Sequence, residues 1–175
     1  MGVGHRVEEK LVEFCMALPH NCVVVEVGSH EGFSARVIAR MILSKNGTLY
    51  CVDPYQGECP EYVGDRNMER LRIFLESFHP EQRVVLMLGH SHNVAPVFAG
   101  RSVDLVFLDG NHCFTYVALD IGLWGPKLKM GGIMCGDDYE GPEWIENLTE
   151  QDYDNLTHHR HHGVCKAVTL GFGDK

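Results

Sequence analysis

The chain has 175 residues, 45% of them hydrophobic, and a formal net charge of −9. That length and apolar content support one domain with a proper core. The acidic balance and the scatter of its basic residues offer no face for a nucleic-acid groove, and no apolar run approaches the roughly 20 residues that a membrane span needs.

Residues Arg6 to Leu18 carry Val7, Leu11, Phe14, Cys15 and Leu18 at helical spacing, and Pro19-His20-Asn21 ends that helix. Cys22 to Val27 is a continuous, largely β-branched run, which predicts a strand buried on both faces. Phe33 to Leu43 follows as an amphipathic helix with Val37, Ile38, Met41 and Ile42 facing the sheet. Lys45-Asn46-Gly47 turns the chain into a second strand, Thr48 to Val52, which ends in Asp53-Pro54-Tyr55. An irregular segment, Gln56 to Gly64, precedes a helix from Arg66 to Phe78. The third strand is Val84 to Leu88, with Gly89-His90-Ser91-His92 as its exit loop and a short helix near Asn93 to Phe98. The fourth strand, Val103 to Leu108, ends in Asp109-Gly110-Asn111-His112. A helix from Phe114 to Leu123 is closed by Gly125-Pro126, and Leu128 to Gly132 reads as the turn before a fifth strand, Ile133 to Gly136. From Glu140 to Gly163 the pattern is lost in an acidic, then histidine-rich stretch that reads as a lid or insertion. Gly163 to Leu170 suits a short helix or a strand.

Strands alternating with helices imply an α/β fold: a doubly wound, mostly parallel sheet with helices on both faces. The expected organisation is a leading helix (1–21), a core (22–139), the lid or insertion (140–163) and a terminal segment (164–175). Right-handed crossovers place the carboxyl end of every strand on one edge. The chemically suggestive residues all fall at those ends.

The first of these ends organises the chain. Glu26-x-Gly28-x-x-x-Gly32 joins a buried strand to a helix whose unpaired N–H groups point at the same spot, the usual setting of a ligand site. A glycine there lets a ligand approach the backbone. The spacing departs from the G-x-G-x-x-G of dinucleotide-binding folds, with serine and histidine where a second glycine would sit. A strand–turn–helix that binds nothing fits the same residues.

Asp53, about 25 residues after Gly28, is placed to accept hydrogen bonds from ribose hydroxyls, or to cap the turn before Pro54. Asp109, Asp137 and Asp138 end neighbouring strands, and three clustered carboxylates call for a cation or protons. A hard divalent ion, Mg²⁺ foremost, meets that need. Asp137 and Asp138 share it only if the backbone turns between them; otherwise one carboxylate caps a helix and another meets a lysine. His112, three residues past Asp109, is either the base that takes a proton from a hydroxyl or a loop histidine bonded to the backbone. Tyr55, Tyr139 and Trp144 are candidate walls for a ring. The run His158-His159-Arg160-His161-His162 invites a transition-metal reading, but without a fixed geometry such a run is more often a solvated loop. Seven cysteines (15, 22, 51, 59, 113, 135 and 165), odd in number and without a C-x-x-C pair, point to reduced thiols in a cytoplasmic protein. The opening residues lack the apolar stretch of a signal peptide.

Glu26-x-Gly28, Asp53, Asp109-Gly-x-His112, Trp124-x-Pro126-x-Leu128-x-x-Gly131-Gly132 and Gly136-Asp137-Asp138-Tyr139 together resemble the class I, Rossmann-like methyltransferases that use S-adenosylmethionine (SAM). Within them the chain looks most like the metal-dependent O-methyltransferases acting on macrolide sugars and polysaccharides, with catechol O-methyltransferase more distant. The resemblance spans about Cys22 to Tyr139. It implies cofactor contacts from Glu26, Gly28, His30, Ser34, Asp53, Ser91, His92 and Asp109. Gly28, His30 and Ser34 would lie along the methionine end, Asp53 on the ribose, and Ser91 and His92 beside the adenine. It further implies Mg²⁺ or another divalent cation on Asp109, Asp137 and Asp138, with His112 and Asp109 as catalytic residues. The catechol enzyme has lysine at the place of His112 and asparagine at that of Asp138, which changes the charge at the metal and the pH range of the base.

The acceptor implied is a hydroxyl on a small molecule or sugar. The leading helix would lie beside the cofactor or in a contact between copies of a homo-oligomer. A full fold of this family carries two further strands as an antiparallel hairpin; these 175 residues leave no room for it, so the expectation is either a truncated protein or an open sheet edge. Two other readings compete: a non-catalytic SAM- or nucleotide-binding domain, and a dehydrogenase-type protein, which the absent second glycine disfavours.

Overall fold

The computed structural model describes residues 4–56, 66–142 and 161–173. In chain order it comprises α1 (Gly4–Ala17), β1 (Val23–Val27), α2 (Phe33–Ile42), β2 (Thr48–Asp53), α3 (Arg66–Leu75), β3 (Arg83–Leu88), α4 (Ser91–Val94), β4 (Val103–Leu108), α5 (Phe114–Trp124), β5 (Leu128–Gly136) and α6 (His162–Phe172). The strands form one sheet in the order β3-β2-β1-β4-β5, with every pair parallel. This is the doubly wound single-domain α/β architecture that the alternation predicts. Winding reverses at β1, whose neighbours are β2 and β4, so a crevice opens between the carboxyl ends of β1 and β4.

Valine repeats make β1 a central strand because both of its faces are covered. Val24 packs with Leu105, Phe107, Leu49 and Cys51 under Leu11 and Cys15 of α1, Ala35, Ile38, Ala39 and Ile42 of α2, and Phe74 of α3. On the other face Val25, Val27, Val52, Val103 and Val106 pack with Val94, Ala95 and Trp124. Alternation along the pleat thus sorts one strand's valines between two cores. The helices supply the complementary stripes: α2 buries positions 35, 38, 39 and 42, the i, i+3, i+4, i+7 spacing of an amphipathic helix.

Two elements differ from the sequence expectation. β5 begins at Leu128, ahead of the glycines that read as a turn. Its register on β4 jumps from Val103 opposite Leu128 to Leu105 opposite Ile133, so residues 129–132 bulge against Asp104. Buried Asp104 holds that bulge: its Oδ2 accepts from Lys129 Nζ at 2.7 Å and from the Val23 amide at 2.8 Å. The segment left open between helix and strand is the helix α6. Val164 and Ala167 of α6 pack on Val117 of α5, with Phe114, Ala118, Ile121 and Val168 around them. That contact fixes the start of α6 near the β4–α5 loop. Among the described residues the sheet ends at β5, and no helix is long and apolar enough to cross a membrane. The irregular segment after Gln56 and the stretch before His161, with Cys59, Trp144 and His158 to Arg160, lie outside the described residues.

The thiols of Cys15, Cys22, Cys51, Cys113 and Cys165 are buried, and that of Cys135 is half-buried. Burial pushes the Cys15 and Cys135 thiols up to about 12, so neither carries appreciable thiolate at neutral pH.

Trp124 is fully buried, stacks edge-on against Phe98 at 5.2 Å and donates Nε1–H to Ser91 Oγ at 2.8 Å. Trp124→Ala is expected to cost about 4 kcal/mol of unfolding free energy by cavity formation, read from the urea midpoint at unchanged m-value. Trp124→Phe keeps a smaller aromatic ring and strips Ser91 of its donor, and should cost less, about 2 kcal/mol.

Candidate active site

The crevice floor is a backbone crossing. The chain leaves β1 with the Gly28 amide donating to Val52 O at 2.9 Å, while the Asp109 amide donates to Val27 O at 2.8 Å. Gly28 sits at φ 88°, and a Cβ there would lie 2.0 Å from Asp109 O and 2.6 Å from Gly110 Cα. The glycine expected to admit a ligand is therefore required already by the exit of β4. Gly32, at φ 80°, begins α2 with its Cα packed towards the Phe74 and Phe78 rings, and its amide donates to Ser29 O at 2.7 Å.

Glu26 lies wholly buried beneath this loop. Its Oε1 accepts from Ser34 Oγ at 2.6 Å, and its Oε2 has no hydrogen-bond partner. Burial pushes its carboxyl up to about 7, and the bond from Ser34 only partly offsets this. Two of the expected cofactor contacts, Glu26 and Ser34, are thus bonded to each other under the loop.

Asp53 ends β2 and ties three loops. Oδ2 accepts from the His30 amide at 2.9 Å and Oδ1 from the Tyr55 amide at 2.7 Å. Tyr55 returns its hydroxyl to His30 O at 2.6 Å and rests edge-on against Phe74. His30 (φ 46°) and Tyr55 (φ 46°) both take left-handed backbone, which the shared carboxylate supports. The turn role weighed for Asp53 is realised, and each carboxylate oxygen keeps a second lone pair for a ribose hydroxyl. Ser91 and His92 stand at the carboxyl end of β3 on α4. Ser91 Oγ accepts from Trp124, and the exposed His92 ring stacks on His90 at 5.5 Å. Asp120 of α5 is buried beside Ser91 and His92; burial pushes its carboxyl up to about 6, and those neighbours partly offset the shift. An aspartate inside a mostly apolar helix gave no motif signal, so only the folded arrangement reveals Asp120.

At the ends of β4 and β5 the carboxylates and an imidazole meet. His112 Nε2 stands 3.6 Å from Asp109 Oδ1 and 3.1 Å from Asp138 Oδ2. Asp138 takes φ 62°, so the backbone turns between Asp137 and Asp138, as sharing would require, and Asp137 Oδ1 accepts the Asp138 amide at 2.8 Å. Burial raises the Asp109 and Asp138 carboxyls above the ordinary range; His112 opposes this in both, and Asp137 adds to it. Burial lowers His112, but Asp109, Asp138 and Asp137 more than compensate, leaving it raised.

One member of this group was not expected. His161, which immediately precedes α6, brings Nδ1 to 3.3 Å from Asp138 Oδ1, with its ring edge-on to His112 at 4.7 Å. It belongs to the histidine run whose sequence favours a solvated loop. Periodicity could not show that α6 docks on α5 and carries this histidine inward. Among the described residues, His112, Asp138 and His161 form the group whose ligand atoms lie within 4.8 Å of one another. The acids expected to share Mg²⁺ are neighbours, but the converging donors are two nitrogens and one carboxylate. Imidazole nitrogen is a poor ligand for a hard ion, so this donor set does not fit Mg²⁺.

A family model described as a methyltransferase domain matches residues 25–139. No curated protein sequence matches the chain. Among solved structures, a protein from Corynebacterium glutamicum is 19% identical with a TM-score of 0.59, covering 94% of this chain and 69% of its own. An SAH-bound methyltransferase of Podospora anserina is 17% identical with a TM-score of 0.61, covering 94% and 66%. A geranyl diphosphate methyltransferase in complex with SAM is 13% identical with a TM-score of 0.55, covering 95% and 63%. The chain therefore spans about two thirds of the length of these relatives, and at such identities the likeness shows the fold.

Two outcomes test the geometry. Gly28→Ala must break the β1–β4 crossing and is expected to cost about 3 kcal/mol or more, read by denaturant unfolding. Glu26 has its folded pKa raised from 4.5 to about 7. Its favourable contribution is complete below about pH 4.5 and is lost as pH rises to about 7, some 3 kcal/mol in all. Glu26→Gln should flatten the stability profile across that window, and a profile parallel to wild type would refute the assignment.

Proposed function

Because the chain belongs to the methyltransferase-domain family, we propose that it transfers a methyl group from SAM to a hydroxyl of a small molecule or sugar. The observation that carries this reading is the join between two functional ends: Asp109 bears a carboxylate of the acid–base group, and its own backbone is the surface the Gly28 loop crosses. A donor lying along that loop, over Asp53, would have its reactive end beside Asp109 and His112. SAH and SAM in the Podospora anserina enzyme and in the geranyl diphosphate methyltransferase support the same donor here.

SAM brings its methyl group already activated on a sulfonium. The protein must hold an oxygen in line with it, keep water out and receive a proton. The Asp109–His112 pair is suited to receiving that proton, because a half-buried carboxylate and an imidazole 3.6 Å apart can accept one between them. A divalent cation near these acids would orient two oxygens of a vicinal diol and lower the pKa of the attacked hydroxyl. The imidazole nitrogens argue for an ion other than Mg²⁺ in that place. A domain that binds SAM without turning it over is the alternative.

Calorimetry should find SAM and S-adenosylhomocysteine binding and no NAD binding. With a panel of diols and sugars, methyl transfer to oxygen is expected. Asp109→Asn should lower kcat by about 100-fold or more while leaving the fold intact by circular dichroism. Full activity in that variant would sink the role of Asp109, and SAM binding with no transfer to any hydroxyl would favour the non-catalytic reading.

A further inference from the structure

We propose that His112, Asp138 and His161 form a binding site for a borderline divalent transition metal of the Zn²⁺ or Co²⁺ type. The ligands come from three separate elements: the loop after β4, the end of β5, and the residue that opens α6. Such convergence is not a by-product of one helix or one acidic turn. Asp138 places Oδ2 3.1 Å from His112 Nε2 and Oδ1 3.3 Å from His161 Nδ1. Donors bonded to one tetrahedral ion at about 2.1 Å stand about 3.4 Å from one another, so each nitrogen already stands at such a separation from the carboxylate oxygen it faces.

The hydrogen-bond accounting points the same way. His112 Nε2 and His161 Nδ1 are buried atoms, yet neither makes a hydrogen bond. The carboxylate is close enough, but the directions do not meet those of an N–H···O bond. A buried ring nitrogen without a partner carries a desolvation cost that an ion bonded to its lone pair removes. The rings stand 75° apart with centroids 4.7 Å from each other, and the ligand atoms of all three residues lie within 4.8 Å of one another. Asp109, 3.6 Å from His112 Nε2, and Asp137, bonded to the Asp138 amide, add negative charge around the ion. Three protein ligands leave coordination positions for water or for acceptor oxygens, the pattern of a reactive rather than a structural site.

The donor type selects the ion. Two imidazoles and one carboxylate suit Zn²⁺, Co²⁺, Fe²⁺ or Ni²⁺, whereas Mg²⁺ seeks oxygen alone. When the ion takes His112, Asp109 is the member of the proton-accepting pair that stays free of the metal. The use of the ion in catalysis rests on the methyl-transfer reading above, but the binding site does not.

The test uses the whole chain, stripped with EDTA and reloaded. One equivalent of Zn²⁺ should raise the melting temperature, and Co²⁺ should give ligand-field absorption bands that saturate at one per chain, with Mg²⁺ doing neither. His161→Gln, which keeps a polar side chain, should weaken Zn²⁺ binding by about 100-fold and shift or abolish the Co²⁺ bands. Circular dichroism of the metal-free variant checks that it folds. Replacing His158 and His159 together should leave the bands intact; loss there, with retention in His161→Gln, would mean chelation by the histidine run and would overturn the proposal. Equal binding of Mg²⁺ and Zn²⁺, or no effect of His161→Gln, would overturn it as well. Metal binding without methyl transfer would sink the functional reading and keep the site. Transfer that needs Mg²⁺ and ignores His161 would do the reverse.

Discussion

The structure depends on two strand ends passing at van der Waals limit. β1 and β4 are neighbours, and the loops leaving them cross where Gly28 has no side chain to obstruct the Asp109 carbonyl. The amides of Gly28 and Asp109 then find partners in Val52 and Val27, so the crossing completes the sheet's hydrogen bonding instead of interrupting it. One contact thereby sets the distance between the loop that leads into α2 and the acidic edge at β4 and β5. Any chemistry shared by those two regions inherits its geometry from this backbone contact and not from side chains.

Charge is distributed around that crossing in two different ways. Glu26 is buried directly under the loop, with a single bond from Ser34, and is held near neutrality by desolvation. Asp53 is the opposite case: both of its oxygens are satisfied by amides of the strained residues His30 and Tyr55. The first carboxyl stiffens the loop from beneath and the second ties it to its neighbour from the side. At the far end, His112 stands beside Asp109 and Asp138, and His161 beside Asp138. The edge sets like and unlike groups side by side.

What could be read from the sequence follows from how local each feature is. The valine runs of β1 and β4 and the apolar stripe of α2 declare themselves within a few residues, and the parallel order follows from their alternation. The acidic residues at strand ends could be placed on one edge by the crossover rule alone. β5 was read too short because Lys129 to Gly132 has turn chemistry, yet Asp104, distant in sequence, holds it as a bulge within the strand. Asp120 and His161 were hidden for the same reason: their neighbours come from elements far along the chain. The Glu26–Ser34 bond spans eight residues, but only the turn at Gly32 brings the two together.

The sulfur atoms give the fold a further property. Cys15, Cys22 and Cys51 sit inside the core under α1 and α2, Cys113 and Cys165 are buried elsewhere, and the thiols of Cys15 and Cys135 hold their protons far into the alkaline range. At Cys15, Cys22, Cys51 and Cys135, whose pKa values burial raises, an alkylating reagent or peroxide arriving from outside meets almost no thiolate until the layers part. Modification of these sulfurs therefore keeps time with the opening of the native state, giving the chain an internal clock for its own unfolding.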